Sequence, residues 1–139
     1  MVLLGFPLLI VPLVVYNILT FIMPVDWGTE LTSVALMSGA TWRITLGDAL
    51  LAAGLVFLLL EVIKAARQGR RGVVDHLLSL LVFMAAAAEF VLVAGAATSI
   101  FALLVLMCLV DVLAGFAMRR IARDEVIAQP HPAEPADPA

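Results

Sequence analysis

The chain has 139 residues, 64% of them hydrophobic and 14% charged, with a formal net charge of −3. Soluble domains run near ~45–50% apolar and ~25% charged, so this composition argues against an ordinary soluble domain and points to a bilayer. With one cysteine and two histidines, an internal disulfide is excluded and no pair has metal-ligand spacing.

Four apolar blocks, at about 2–23, 46–66, 75–95 and 99–120, are long enough to cross ~30 Å of hydrocarbon at ~1.5 Å per residue. The first, "VLLGFPLLIVPLVVYNILTFIM", carries no charge. It lacks the positive n-region and small-residue cleavage site of a signal peptide, so it reads as a retained transmembrane helix. Pro7 and Pro12 are expected to bend it, because each lacks an amide donor and crowds the preceding turn. The segment from Pro24 to Arg43, "PVDWGTELTSVALMSGATWR", is mildly acidic. Its Trp27 and Trp42 suit the headgroup zone, and its "LTSVAL" fits a short strand as well as an interfacial helix.

The second block opens on Thr45-Leu46-Gly47-Asp48, a T-x-x-D pattern that predicts a capping box. Gly47, Gly54 and Glu61 recur at seven-residue steps and drift only ~20° per step around the helix. Close approach of another helix is expected at the two glycines, within the bundle or between protomers. A short basic loop, "KAARQGRRGVVD", leads to the third block, and "GAATS" after it leaves room only for an antiparallel helical hairpin. In the fourth block, Cys108 reads as a packing residue. Gly115, one turn after Asp111, would let a backbone approach that acid. The tail from Gln129, "QPHPAEPADPA", has nothing to bury and is expected to be disordered.

Of the eight basic residues, only Arg43 lies between the first two blocks; Lys64, Arg67, Arg70, Arg71, Arg119, Arg120 and Arg123 follow the second and fourth. With four crossings those seven share one side, which the positive-inside rule makes cytoplasmic. Both termini are then cytoplasmic.

Four acids lie in or near the blocks, and at ~1.5 Å per residue they fall in two tiers. Asp111 lies ~4 Å and Glu61 ~10 Å from the midplane on the cytoplasmic side, Glu89 ~5–7 Å and Asp48 ~10 Å on the other. Asp48 is expected to cap its own helix. Glu61, three residues before Lys64, is expected to pair with it and snorkel toward the headgroups. Asp75 favours the start of the third helix through its dipole, and His76 beside it reads as an interfacial residue. Glu89 and Asp111 have no basic residue at their depth, so each is expected to keep its proton and bond another helix. Asn17, Thr20 and Asp48 are candidate partners for Glu89, Ser79 and Glu61 for Asp111. An ionisable residue at such depth is also a functional candidate, here a proton or cation site.

Chemistry beyond that is thin. Glu61, Asp111 and His76 offer ligand types a divalent ion accepts, but only if three helices agree in rotation, and no metal or other cofactor is expected. No Walker loop, GxGxxG, GxSxG or HExxH motif occurs; the reading is non-enzymatic, with no nucleic-acid partner.

The stretch "WRITLGDALLAAGLVFLLLEVIKAARQGRRGVVDHLLSLLVFMAAAAEF" through "LVDVLAGF" resembles small four-helix bacterial inner-membrane proteins of unassigned function. The resemblance lies in arrangement: G-D opening the second helix, E-x-x-K closing it, D-H opening the third, and an acid in each of the last two. It implies the inner (cytoplasmic) membrane and no mechanism. The expected protein is all-α: a polytopic, antiparallel four-transmembrane-helix bundle over 1–128 with a tail over 129–139. It would act by helix packing, as an accessory subunit of a membrane complex or a self-associating scaffold. The alternative is a small oligomeric proton or cation channel, or a proton-coupled carrier, using the carboxylates.

Overall fold

In the computed structural model the chain folds around its last helix. The structure describes residues 6–68 and 73–128. The expectations for residues 2–5, for Arg70 and Arg71 and for the tail from Gln129 fall outside the described residues, as do the side chains of Asp75 and Arg119. In chain order come α1 (Ile10–Asn17), a π-helical turn (Ile18–Ile22), strands β1 (Glu30–Ala35) and β2 (Thr41–Thr45), α2 (Leu46–Gln68), α3 (Val73–Leu92), a 3-10 turn (Ala94–Ala96) and α4 (Ser99–Ala128). The fold is all-α apart from one two-stranded antiparallel hairpin. α4 packs along both α2 and α3, and α1 lies on α2 and α4.

Two described helices, Leu46–Arg67 and Ser99–Met118, are long and apolar enough to cross a membrane. The apolar helix Ile10–Ile22 falls short of the ~20 residues a crossing takes; α3 runs 20 residues in all, and its stretch His76–Leu92 is apolar. Proline accounts for the shortfall at the start of the chain. Regular helix begins only at Ile10, after Pro7, through tight bonds from the Ile10 amide to the Pro7 carbonyl (3.2 Å) and from Val11 to Leu8 (3.0 Å). Pro12 then falls in the first turn of α1, where a missing amide leaves no carbonyl unpaired. The irregularity comes later, at the π turn, where the Met23 amide reaches back to the Ile18 carbonyl (2.9 Å). α3 ends at Leu92: Val93 is extended, and Ala94–Ala96 tighten into the 3-10 turn before α4. α4 runs past its expected end to Ala128, since "RRIARDEVIA" contains neither Gly nor Pro to stop it.

The apolar core runs along the bundle from Leu9 and Cys108 to Tyr16, its largest buried side chain. Leu9, Leu13, Leu50, Ala86, Ala96, Phe101 and Leu104 are buried there with it. The Tyr16 ring stacks on Trp27 (centroids 5.0 Å, 5° between planes) and tilts against Phe101 (4.7 Å). Its hydroxyl lies 2.7 Å from Thr98 Oγ1 and donates to the Gly95 carbonyl at 3.3 Å. Tyr16 thus ties α1 to the α3–α4 turn without leaving a polar atom stranded in the core.

Candidate functional site

The end of the bundle away from the hairpin is polar. Glu61, His76 and Asp111 are the buried polar or charged residues of the described chain, 3%, 7% and 7% exposed. They come from α2, α3 and α4, respectively.

Glu61 and Lys64 stand one turn apart on α2 and form an ion pair of 2.7 Å with both side chains largely buried. The pair forms as i,i+3 spacing allows. It turns inward to the start of α1: Glu61 Oε1 accepts the Leu8 amide, and Lys64 Nζ donates to the Phe6 carbonyl at 3.1 Å. Those groups precede the first helical turn, where a helix leaves backbone groups without an intrahelical partner. Pro7 between them offers no donor at all. A carboxylate at the start of a helix also faces the positive end of the dipole. The pair therefore caps α1 from the side of a neighbouring helix.

Asp111, on α4, is hydrogen-bonded to Ser79 of α3, and the Lys64 charge acts on it electrostatically. His76 is buried rather than interfacial, its ring edge-on to Phe116 (centroids 4.1 Å, 80°). It fills the gap left by Gly115, where an added methyl would sit 2.7 Å from His76 Nδ1. An imidazole, and not a helix backbone, uses the space that glycine provides. Among the described residues no three His, Cys, Asp or Glu side chains group as the ligands of a metal ion would.

The remaining acids lie toward the hairpin end and do not join this tier. Glu89 accepts a bond from Asn17 Nδ2 (3.3 Å), whose amide also donates to the Leu13 carbonyl (3.1 Å). The carboxyl thus joins α3 to α1 through Asn17. Thr20 is engaged instead by the Trp27 indole (3.3 Å). Asp48 forms the reciprocal cap with Thr45: Oδ2 accepts from the Thr45 amide (2.9 Å) and hydroxyl (2.8 Å), and the Asp48 amide donates back (3.2 Å). Gly47 and Gly54 both face α4. A methyl on the first would lie 2.6 Å from Ile100 Cδ1, and on the second 3.0 Å from Met107 Sδ. Cys108 is a free, buried thiol within the apolar core.

Sequence reasoning missed Tyr16 as the hub of the core, the inward turn of Lys64 and the burial of His76. A signal existed for the first, since Tyr16 is the sole tyrosine of the chain and sits inside an uncharged block. None existed for the other two, because rotation about a helix axis is not written in local spacing. Outside, the surface is apolar: Leu55, Val56, Leu59, Leu77, Leu81, Leu106 and Leu113 are exposed while Glu61 and Asp111 lie within. Apolar surface on that scale marks a partner or a membrane. No protein-family model, curated protein or solved structure matches the chain, so function is argued from this arrangement alone.

Proposed function

We propose that the chain is a small multi-pass protein of a bacterial inner (cytoplasmic) membrane that acts without enzymatic chemistry, through helix packing, as an accessory subunit or self-associating scaffold. In this reading all four helices cross, with both termini cytoplasmic. The short α1 completes its crossing with the backbone before Ile10, which hydrocarbon tolerates only when its polar groups are satisfied by protein. The partners are the bilayer, further copies or other membrane subunits, with no cofactor and no nucleic acid. One observation carries the reading: each of the four acids singled out in or near the apolar blocks has a structural partner, Glu61 in Lys64 and the start of α1, Asp111 in Ser79, Glu89 in Asn17 and Asp48 in Thr45.

A second reading, a small oligomeric proton or cation channel or proton-coupled carrier, draws on the same tier, because Glu61, Asp111 and His76 are buried together on three helices. Native mass spectrometry of the protein extracted from its own membranes, followed by proton-flux assays in vesicles, separates the two. Packing predicts a complex with further copies or other subunits and no flux above empty vesicles. A lone monomer, or flux abolished by Asp111→Asn with folding intact, would overturn it.

A further inference from the structure

The segment between the first two helices folds as a two-sided ribbon whose sides differ in chemistry. Its turn is Leu36-Met37-Ser38-Gly39, closed by the Gly39 amide on the Leu36 carbonyl (3.0 Å) and the Leu36 amide on the Ala40 carbonyl (2.9 Å). Gly39 takes φ +82°, the left-handed residue that follows the turn in a three-residue hairpin loop. The register pairs Val34 with Trp42 and Thr32 with Ile44, and between them Ser33 with Arg43 and Ala35 with Thr41. Paired residues share a side and sides alternate, so one face carries Val34, Trp42 and Ile44; the irregularity between Glu30 and Thr32 shifts Glu30 to the side of Thr45 and leaves that face without charge. The other carries Arg43, paired with Glu30 at 3.6 Å. Val34, Leu36, Met37 and Trp42 are all exposed.

The ribbon is rooted firmly. The first amides of α2 donate outside their own helix, Leu46 to the Thr29 carbonyl (2.9 Å) and Gly47 to the Trp27 carbonyl (3.1 Å). Trp27 is itself stacked on Tyr16. β2 runs into α2 with no linker, so the ribbon stands at the first residue of the apolar span Leu46–Arg67.

We infer that the Val34–Trp42–Ile44 face docks on the headgroup layer of the bilayer, an inference that rests on the membrane reading above. An isolated two-stranded hairpin is marginal in water, and its apolar face needs a cover. The bilayer edge is the surface nearest its root, and a strand of 5–6 residues spans only ~17–20 Å. The face asks no charge to leave water, because Glu30 and Arg43 lie on the other side. It also presents a tryptophan, the side chain enriched where apolar and polar layers meet.

The chain has two tryptophans, which makes the test direct. The full-length protein is placed in phosphatidylcholine vesicles brominated near the top of the acyl chains, and emission is compared with unbrominated vesicles and with aqueous iodide. Wild type minus Trp42→Phe isolates Trp42; this exposed position can change without disturbing the core, and Trp27→Phe repeats the measurement with Trp42 alone. Docking predicts that brominated lipid removes most of the Trp42 emission and that iodide removes far less. Strong iodide quenching with little effect of bromine places the hairpin in water and overturns the inference. Protection from both overturns it in favour of cover by a second copy or another protein. Alkaline carbonate extraction of native membranes tests the parent reading separately: release of the protein would sink the membrane assignment itself, whatever the fluorescence shows.

Discussion

The two ends of the bundle hold α1 by different means. At the hairpin end, Tyr16 and Asn17 work through aromatic stacking and hydrogen bonds to Thr98, Gly95 and Glu89. At the other, Phe6 and Leu8 are held by the ions Lys64 and Glu61. The difference follows from the state of the backbone. Near Tyr16 the helix satisfies its own amides and needs only shape. Near Pro7 the helix has not begun, and loose backbone groups in an apolar setting require strong partners. Charge is spent where regular structure runs out.

The sharpest way to break this contrast is at the ion pair. Glu61→Ala should destabilise the protein by ~3–5 kcal/mol, and Lys64→Ala similarly, because each leaves the other charge buried and alone. The double substitution should cost clearly less than the sum, read from unfolding in detergent as a double-mutant cycle. Simple additivity would remove the clamp. Next in size, Gly115→Ala should lower stability by ~1–3 kcal/mol through overpacking, seen as a fall in Tm, because the methyl would meet the ring of His76, a buried side chain packed edge-on to Phe116. Gly54→Ala should cost less, since its neighbours are the flexible ends of Met107 and Leu104.

At the hairpin end the effects should be smaller. Tyr16→Phe keeps both ring contacts and loses the hydroxyl bonds, for ~1 kcal/mol; a loss as large as that of Glu61→Ala would mean that the two ends are not built differently. Smallest of all, Glu89→Gln keeps an acceptor for Asn17 and should change stability by no more than ~0.6 kcal/mol, about the mean for interhelical hydrogen bonds. Flux lost in that variant with stability unchanged would shift the protein from packing to conduction.

Much of this was legible in the chain. The apolar blocks, the Thr45–Asp48 cap, the Glu61–Lys64 spacing and the helical hairpin around "GAATS" are local patterns, and local spacing fixes them. Asn17 and Ser79 were also among the polar residues at the right depth to meet Glu89 and Asp111. The strand in "LTSVAL" was one of two readings, and its pairing with Thr41–Thr45 decided it. The fate of Lys64 and His76 was not legible, because a helix offers every direction around its axis and only its neighbours select one.

The sequence by itself determined that this chain is helical, apolar outside and marked by acids in its helices, since composition and periodicity depend on each residue and its near neighbours alone. Only the tertiary structure decided which acids are satisfied and by whom. That choice depends on where Pro7 lets α1 begin and on how α2, α3 and α4 turn toward one another, and residues more than fifty positions apart, such as Leu8 and Glu61, meet only once the chain has folded.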